Sequence, residues 1–199
     1  MKLLLIFGIL LIFLIFLHSN KNQKNKTIIQ IYHGDITKFK IECIVNASNP
    51  LGLGCNIPNH CIDSAIHIAA GPNLLEECKT LNGIPTGTAK LTKGYNLPAK
   101  YVIHCTGPNA TIDGINWQTF KECYINILNL AEKHNIKELA FCCISTGLYG
   151  YPNEKSANIA YNTVTEWLKN SKYDFNKIVF VTFTVKDYNF YKKLKRSTI

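Results

Sequence analysis

Apolar residues gather in five short runs, at 28–32, 41–45, 101–105, 139–144 and 178–185, each rich in β-branched or aromatic side chains. Runs of this length with little alternation predict strands buried on both faces. A further strand is expected near 89–95. Between the runs, apolar positions recur at helical spacing over 61–70, 117–134, 154–168 and 187–195. Strands alternating with helices predict a layered α/β domain, with helices on both faces of a mixed sheet of about six strands.

One apolar stretch stands apart. Residues 3–17 form an unbroken run of fifteen, preceded by Lys2 and followed by a polar, basic segment at 18–26. The expected organisation is therefore a hydrophobic segment with its linker over 1–26 and one folded domain over 27–199. The run falls between a signal-peptide core and the roughly 17–25 residues of a membrane span. Residues 17–20, Leu-His-Ser-Asn, lack a small-x-small cleavage pattern, which favours an uncleaved anchor, with a cleaved signal and secretion as the alternative. Lys21, Lys24 and Lys26 after the run outweigh Lys2 before it, so the positive-inside tendency keeps the domain in the cytoplasm.

Much of the formal charge of +9 lies in that linker and in Lys192, Lys193, Lys195 and Arg196 near the end. A solvated tail accounts for it, with an anionic ligand or membrane surface as the alternative. No basic platform interleaved with aromatics is present, so no nucleic-acid partner is expected. Of the eight cysteines, Cys43, Cys78, Cys105, Cys123, Cys142 and Cys143 sit in apolar or helical runs and suit packing roles as reduced thiols. A glycan at the Asn46 sequon would fall inside the loop richest in functional groups, which argues against lumenal exposure.

That loop is the densest chemistry in the chain. It follows the 41–45 run, is broken by Pro50, Gly52 and Gly54, and carries Asn46, Asn49, Cys55, His60, Cys61 and Asp63. Polar groups at the carboxyl end of a buried strand in an open α/β sheet are where ligands bind. A second loop, Ser145, Thr146, Gly147, Leu148, Tyr149, Gly150 and Tyr151, joins a strand to a helix, and its glycines expose N–H groups that could cradle a diphosphate. A third strand end carries Gly34, Asp35 and Ile36, where a carboxylate could accept a hydrogen bond from an exocyclic amine. Together the three loops suit one elongated, phosphate-containing ligand.

The segments Gly34-Asp-Ile-Thr, Ile44-Val-Asn-Ala-Ser-Asn, Ala65-Ile-His-Ile-Ala-Ala-Gly-Pro, Pro85-Thr-Gly-Thr-Ala, Tyr101-Val-Ile-His-Cys and Ile144-Ser-Thr-Gly-Leu-Tyr-Gly resemble a macrodomain over essentially 28–194. The resemblance implies a three-layer α/β/α fold that binds ADP-ribose and either removes it from mono-ADP-ribosylated protein or reads it. It implies that Asp35 contacts adenine, Ile36 offers its backbone, Asn46 and residues 145–151 line the ligand, and Phe183 stacks on adenine. Asn49 would orient the distal ribose and Asp63 a water.

Ordinary macrodomain hydrolases carry a run of glycines where this chain has Cys55, His60 and Cys61, which resembles the zinc-dependent microbial branch. Two thiolates and an imidazole suit Zn²⁺ and leave its fourth position open. The adjacency of His60 and Cys61 departs from that branch, where one residue separates them, and favours the non-catalytic reader as the alternative. His67 belongs to the Ala-Ile-His pattern and is expected to be structural. The catalytic domain is expected to be monomeric.

Overall fold

The computed structural model describes residues 27–55 and 61–197. The apolar run 3–17, its linker and His60 lie outside the described residues.

Six strands make one sheet: β1 (Ile28–His33), β2 (Cys43–Ser48), β3 (Ala89–Lys93), β4 (Tyr101–Thr106), β5 (Glu138–Phe141) and β6 (Lys177–Thr182), in the order β1-β6-β5-β2-β4-β3. Only β3, at one edge, pairs antiparallel. The sheet is thus mixed, as expected. Successive residues of β2, β4, β5 and β6 are buried, so both faces of the sheet are covered. Edge strand β1 instead alternates, with Ile28 and Tyr32 exposed.

The covering helices are α1 (Ile62–Ala70), α2 (Pro72–Thr80), α3 (Ala110–Asp113), α4 (Trp117–Lys133), α5 (Asn153–Asn170) and α6 (Val185–Ser197). Helix α5 packs against both α4 and α6, whereas α1 and α2 form a separate pair. Helix α4 shows why the pattern is read so directly. Phe120, Cys123, Tyr124, Ile127, Leu128 and Ala131 form its buried stripe, and the Asn116 carboxamide caps its first turn by accepting from Gln118 and Thr119 N–H. Each large side chain in that stripe contributes roughly 1.5–3 kcal/mol through burial.

The differences from expectation lie at element ends. The strand expected at 139–144 stops at Phe141, and Cys142 turns out of the ladder into the cleft described below. The 178–185 strand stops at Thr182 and α6 begins at Val185, two residues earlier than expected. Helix α2 was not expected at all. Gly71, at φ 81°, ends α1 and starts α2, and Pro72 fills the first helical position, where its missing N–H costs nothing.

Candidate active site

A cleft of about 590 Å³ crosses the carboxyl ends of β1, β6, β5 and β2. At about 4.8 Å per strand spacing, the distance from β1 to β2 is roughly 14 Å, enough for an extended ligand. The strand order fixes what lies where along it.

At the β1 and β6 end lie Asp35, Ile36 and Phe183. The Asp35 carboxylate accepts from Thr37 N–H at 2.9 Å and Thr37 Oγ1 at 2.7 Å, with Lys38 Nζ 3.6 Å away. Partial burial opposes its ionisation, but these partners outweigh it and hold the carboxyl below its ordinary value. Phe183, the first residue after β6, is 80 % exposed and leaves an aromatic face open at the rim.

The loop after β5 lies between the two ends. Ser145 adopts φ 60°, which bends the chain sharply. The turn is closed by Gly150 N–H on Gly147 O, Tyr151 N–H on Ser145 O and Ala110 N–H on Tyr149 O. None of these bonds uses the N–H groups of Thr146, Gly147, Leu148 or Tyr149, all of which line the cleft. Backbone donors left over in a tight loop suit an anion. The loop sits close against Gly107, where a Cβ would overlap Ser145 Oγ and the Ile144 side chain. Gly150 and Tyr151 lie behind the cleft lining: Tyr151 is buried, stacks on Phe120 at 5.4 Å, and accepts from Asn116 N–H at 2.7 Å. They support the loop from α4.

At the β2 end, Asp63 stands in the first turn of α1, 3 % exposed. Its Oδ1 accepts from Asn46 Nδ2 at 2.6 Å and its Oδ2 from Asn49 Nδ2 at 3.3 Å, while His67 Nε2 lies 3.7 Å from Oδ1. Burial raises the Asp63 carboxyl above its ordinary value, and the Asn46 bond and His67 offset part of that rise. Burial likewise lowers His67, more than Asp63 raises it. Asn49 reaches the cleft but spends its carboxamide on the loop: Oδ1 accepts from Leu51 and Gly52 N–H, and Nδ2 also donates to Gly54 O.

Asn46 sits beneath the lining. Its carboxamide donates to Asp63 and to Nδ1 of His104 in β4, at 3.1 Å. His104 Nε2 meets Thr92 Oγ1 at 2.8 Å, and Thr92 Oγ1 donates to Lys93 O. Burial drives His104 down to about 3, with His67 nearby adding to the fall, so the imidazole is neutral and holds its proton on Nε2 while Nδ1 accepts.

The Cys61 thiol is positioned by α1, for which Cys61 is the cap: its Sγ accepts from Ser64 N–H at 3.4 Å. The Cys55 thiol comes within hydrogen-bonding reach of it, and after burial that contact is the largest cause of the rise in the Cys61 thiol. Two of the three expected zinc donors are thus together at the cleft, and the third lies outside the described residues. A second group of donors, His67, Cys78 and His104, has ligand atoms within 4.8 Å of one another. Sequence spacing gave no sign of it, because Cys78 is delivered by α2. Both His104 nitrogens there already have partners, so a cation would have to displace Thr92. Cys142 and Cys143, expected in packing, also line the cleft, and burial pushes the Cys142 thiol up to about 12.

A macro domain model matches residues 45–160. Human ADP-ribose glycohydrolase MACROD2 is 47% identical over 167 residues, which cover 83% of this chain and 38% of that protein. A protein-ADP-ribose hydrolase of Staphylococcus aureus is 42% identical over 172 residues, covering 82% and 64%. The chain therefore spans less than two thirds of these relatives. Among solved structures, the Oceanobacillus iheyensis macrodomain with ADP superposes at TM-score 0.80 and 33% identity, covering 89% of this chain and 94% of that one. The Trypanosoma brucei macrodomain in complex with ADP-ribose gives 0.77 and 40%, covering 84% and 68%. With the fold, the cleft and the sequence match in agreement, the chain belongs to the macro domain family.

Proposed function

We propose that the cleft binds ADP-ribose and hydrolyses the bond between C1″ of its distal ribose and a protein side chain. The observation that carries this reading is the buried Asp63 carboxylate, held by Asn46 and Asn49 in the same cleft as the unused N–H groups of residues 146–149. The names of the relatives, a glycohydrolase and a protein-ADP-ribose hydrolase, support it.

In this reading the diphosphate lies on the 146–149 loop, adenine lies toward Asp35 and Phe183, and the distal ribose reaches Asp63. Holding the ligand at both ends makes attack at C1″ effectively intramolecular. Asp63 takes a proton from water as its oxygen adds to C1″, the bond to the side chain breaks, and the leaving oxygen gains the proton. A carboxyl raised by burial is a stronger base than a free one, which suits that role.

Cys55 and Cys61, already adjacent, would hold a zinc ion with His60, and the ion would supply Lewis acidity beside the ribose. The rival reading, a reader that binds without turnover, is favoured by the Asn49 carboxamide, whose oxygen and amide hydrogens are already taken by Leu51, Gly52, Gly54 and Asp63. Either protein would be tethered by residues 3–17 with the domain in the cytoplasm, or secreted if that segment is a cleaved signal.

One experiment separates these. ADP-ribose release from an aspartate- or glutamate-modified protein is measured with zinc content, for wild type and Cys55→Ala. Stoichiometric zinc with release lost in the variant supports the zinc-assisted hydrolase. Release without zinc leaves the hydrolase and removes the metal, and tight ADP-ribose binding with neither zinc nor release makes the protein a reader.

A further inference from the structure

We infer that the pole of the domain opposite the cleft is a docking face for an anionic lipid surface, so that the tethered protein holds its cleft away from the bilayer. The inference rests on residues 3–17 entering a membrane.

Two poles follow from the parallel sheet. The first residues of the strands share register, Ile28 with Lys177 and Lys177 with Glu138, on the side away from the cleft. Two long helices start at the cleft and run back toward that side. Helix α5 begins at Asn153, which lines the cleft, and delivers Lys169 and then Lys172 to the far pole. Helix α6 begins beside the cleft residue Thr184 and runs antiparallel to the strands: Tyr188 sits near His33 at the end of β1, and Tyr191 stacks on Phe180 within β6. Its thirteen residues extend about 20 Å and end in Lys192, Lys193, Lys195 and Arg196.

Lys169, Lys172, Lys192, Lys193 and Arg196 are exposed at this pole, with Lys137, Lys177 and Lys195 half-buried, while most of its acids are turned to internal work. Glu138 pairs with Lys177 at 3.2 Å, and Glu42 accepts from the N–H groups of Lys137 and Glu138 at 2.7 and 3.2 Å. Asp174 is half-buried, leaving Glu132 and Glu166 as exposed acids there. The cleft pole carries Asp35 and the buried Asp63 and Asp187, with Lys38, Lys155 and Lys186 exposed around them. Strand β1 starts on the cationic pole, where Ile28 N–H donates to Asn176 O, so the linker with Lys21, Lys24 and Lys26 leads by sequence to this face. Lysines next to a membrane segment are attracted to an anionic leaflet, about fivefold in partitioning for each charge near the surface. A nucleic acid would use the charge but give no role to the apolar run that precedes it.

The test uses the full chain with vesicles of phosphatidylcholine alone or with phosphatidylserine, read by amine acetylation of individual lysines. Phosphatidylserine should lower labelling of Lys169 and Lys172 at least fivefold while Lys38, Lys155 and Lys186 stay unchanged. High salt, or the quadruple change Lys192→Glu, Lys193→Glu, Lys195→Glu and Arg196→Glu, should restore labelling without altering ADP-ribose binding. Equal labelling on both vesicles, equal protection at both poles, or stronger protection by single-stranded RNA would overturn the docking face. Failure to float with either vesicle would overturn the membrane tether and the docking face together.

Discussion

Asn46 Nδ2 lies 2.6 Å from Asp63 Oδ1, joining the buried centre of β2 to the first turn of α1 across seventeen residues of sequence. This bond, with the one from Asn46 to His104, fixes which way the carboxamide faces. Because neutral His104 presents a lone pair on Nδ1, the amide must turn its N–H groups inward, and Asp63 receives a donor rather than a carbonyl. Strand β4 thereby sets the environment of a carboxylate it never touches.

Asn46→Ala should therefore leave the buried carboxylate short of a donor. We expect a loss of about 1–3 kcal/mol in urea unfolding, the cost of an unsatisfied buried polar group, with reduced ADP-ribose release. Unchanged stability would mean that water or another group replaces the amide.

Asp63→Asn keeps the shape and removes the base. ADP-ribose binding by calorimetry should remain within a few-fold of wild type, while release from modified protein should fall by about 10²–10⁴. Full release from the variant would remove Asp63 from the mechanism.

Gly107→Ala places a methyl group against Ser145 Oγ and Ile144. The 146–149 loop must shift or the fold must absorb the overlap, at roughly 1–3 kcal/mol. Weaker ADP-ribose binding, by tenfold or more in the same calorimetric assay, is the expected outcome, and wild-type affinity would show that the loop N–H groups do not hold the diphosphate.

Acid should act through His104. Its value falls from the ordinary 6.5 to about 3 in the folded state, so between those values the unfolded chain binds a proton that the folded chain refuses. Stability is then lost as pH falls below 6.5, by up to about 1.4 kcal/mol per pH unit from this group. Lowered His67 acts in the same direction. Asp63 acts oppositely, since a raised carboxyl favours the folded state once protonated. Urea titrations at pH 7, 6 and 5 should show a decline that is shallower in His104→Gln, and equal slopes in the two proteins would discard this account.

The sequence by itself determined the layers and much of the cleft. Continuous apolar runs become strands because only burial on both faces suits them, and the stripe from Phe120 to Ala131 becomes a helix because only that spacing buries one face. Loops at strand ends are similarly legible, so Asp35, Asn49, Asp63, residues 145–149 and Phe183 all line one cleft as their positions implied. What only the tertiary structure decided were the contacts between elements far apart in sequence. The amide of Asn46 points into the sheet's packing rather than the cleft, Tyr151 braces α4, and Cys78 meets His104 because α2 crosses beside β3 and β4. The physical reason is that a hydrophobic pattern specifies which face is buried, whereas a buried polar group chooses among the few partners that packing brings within 3 Å or so.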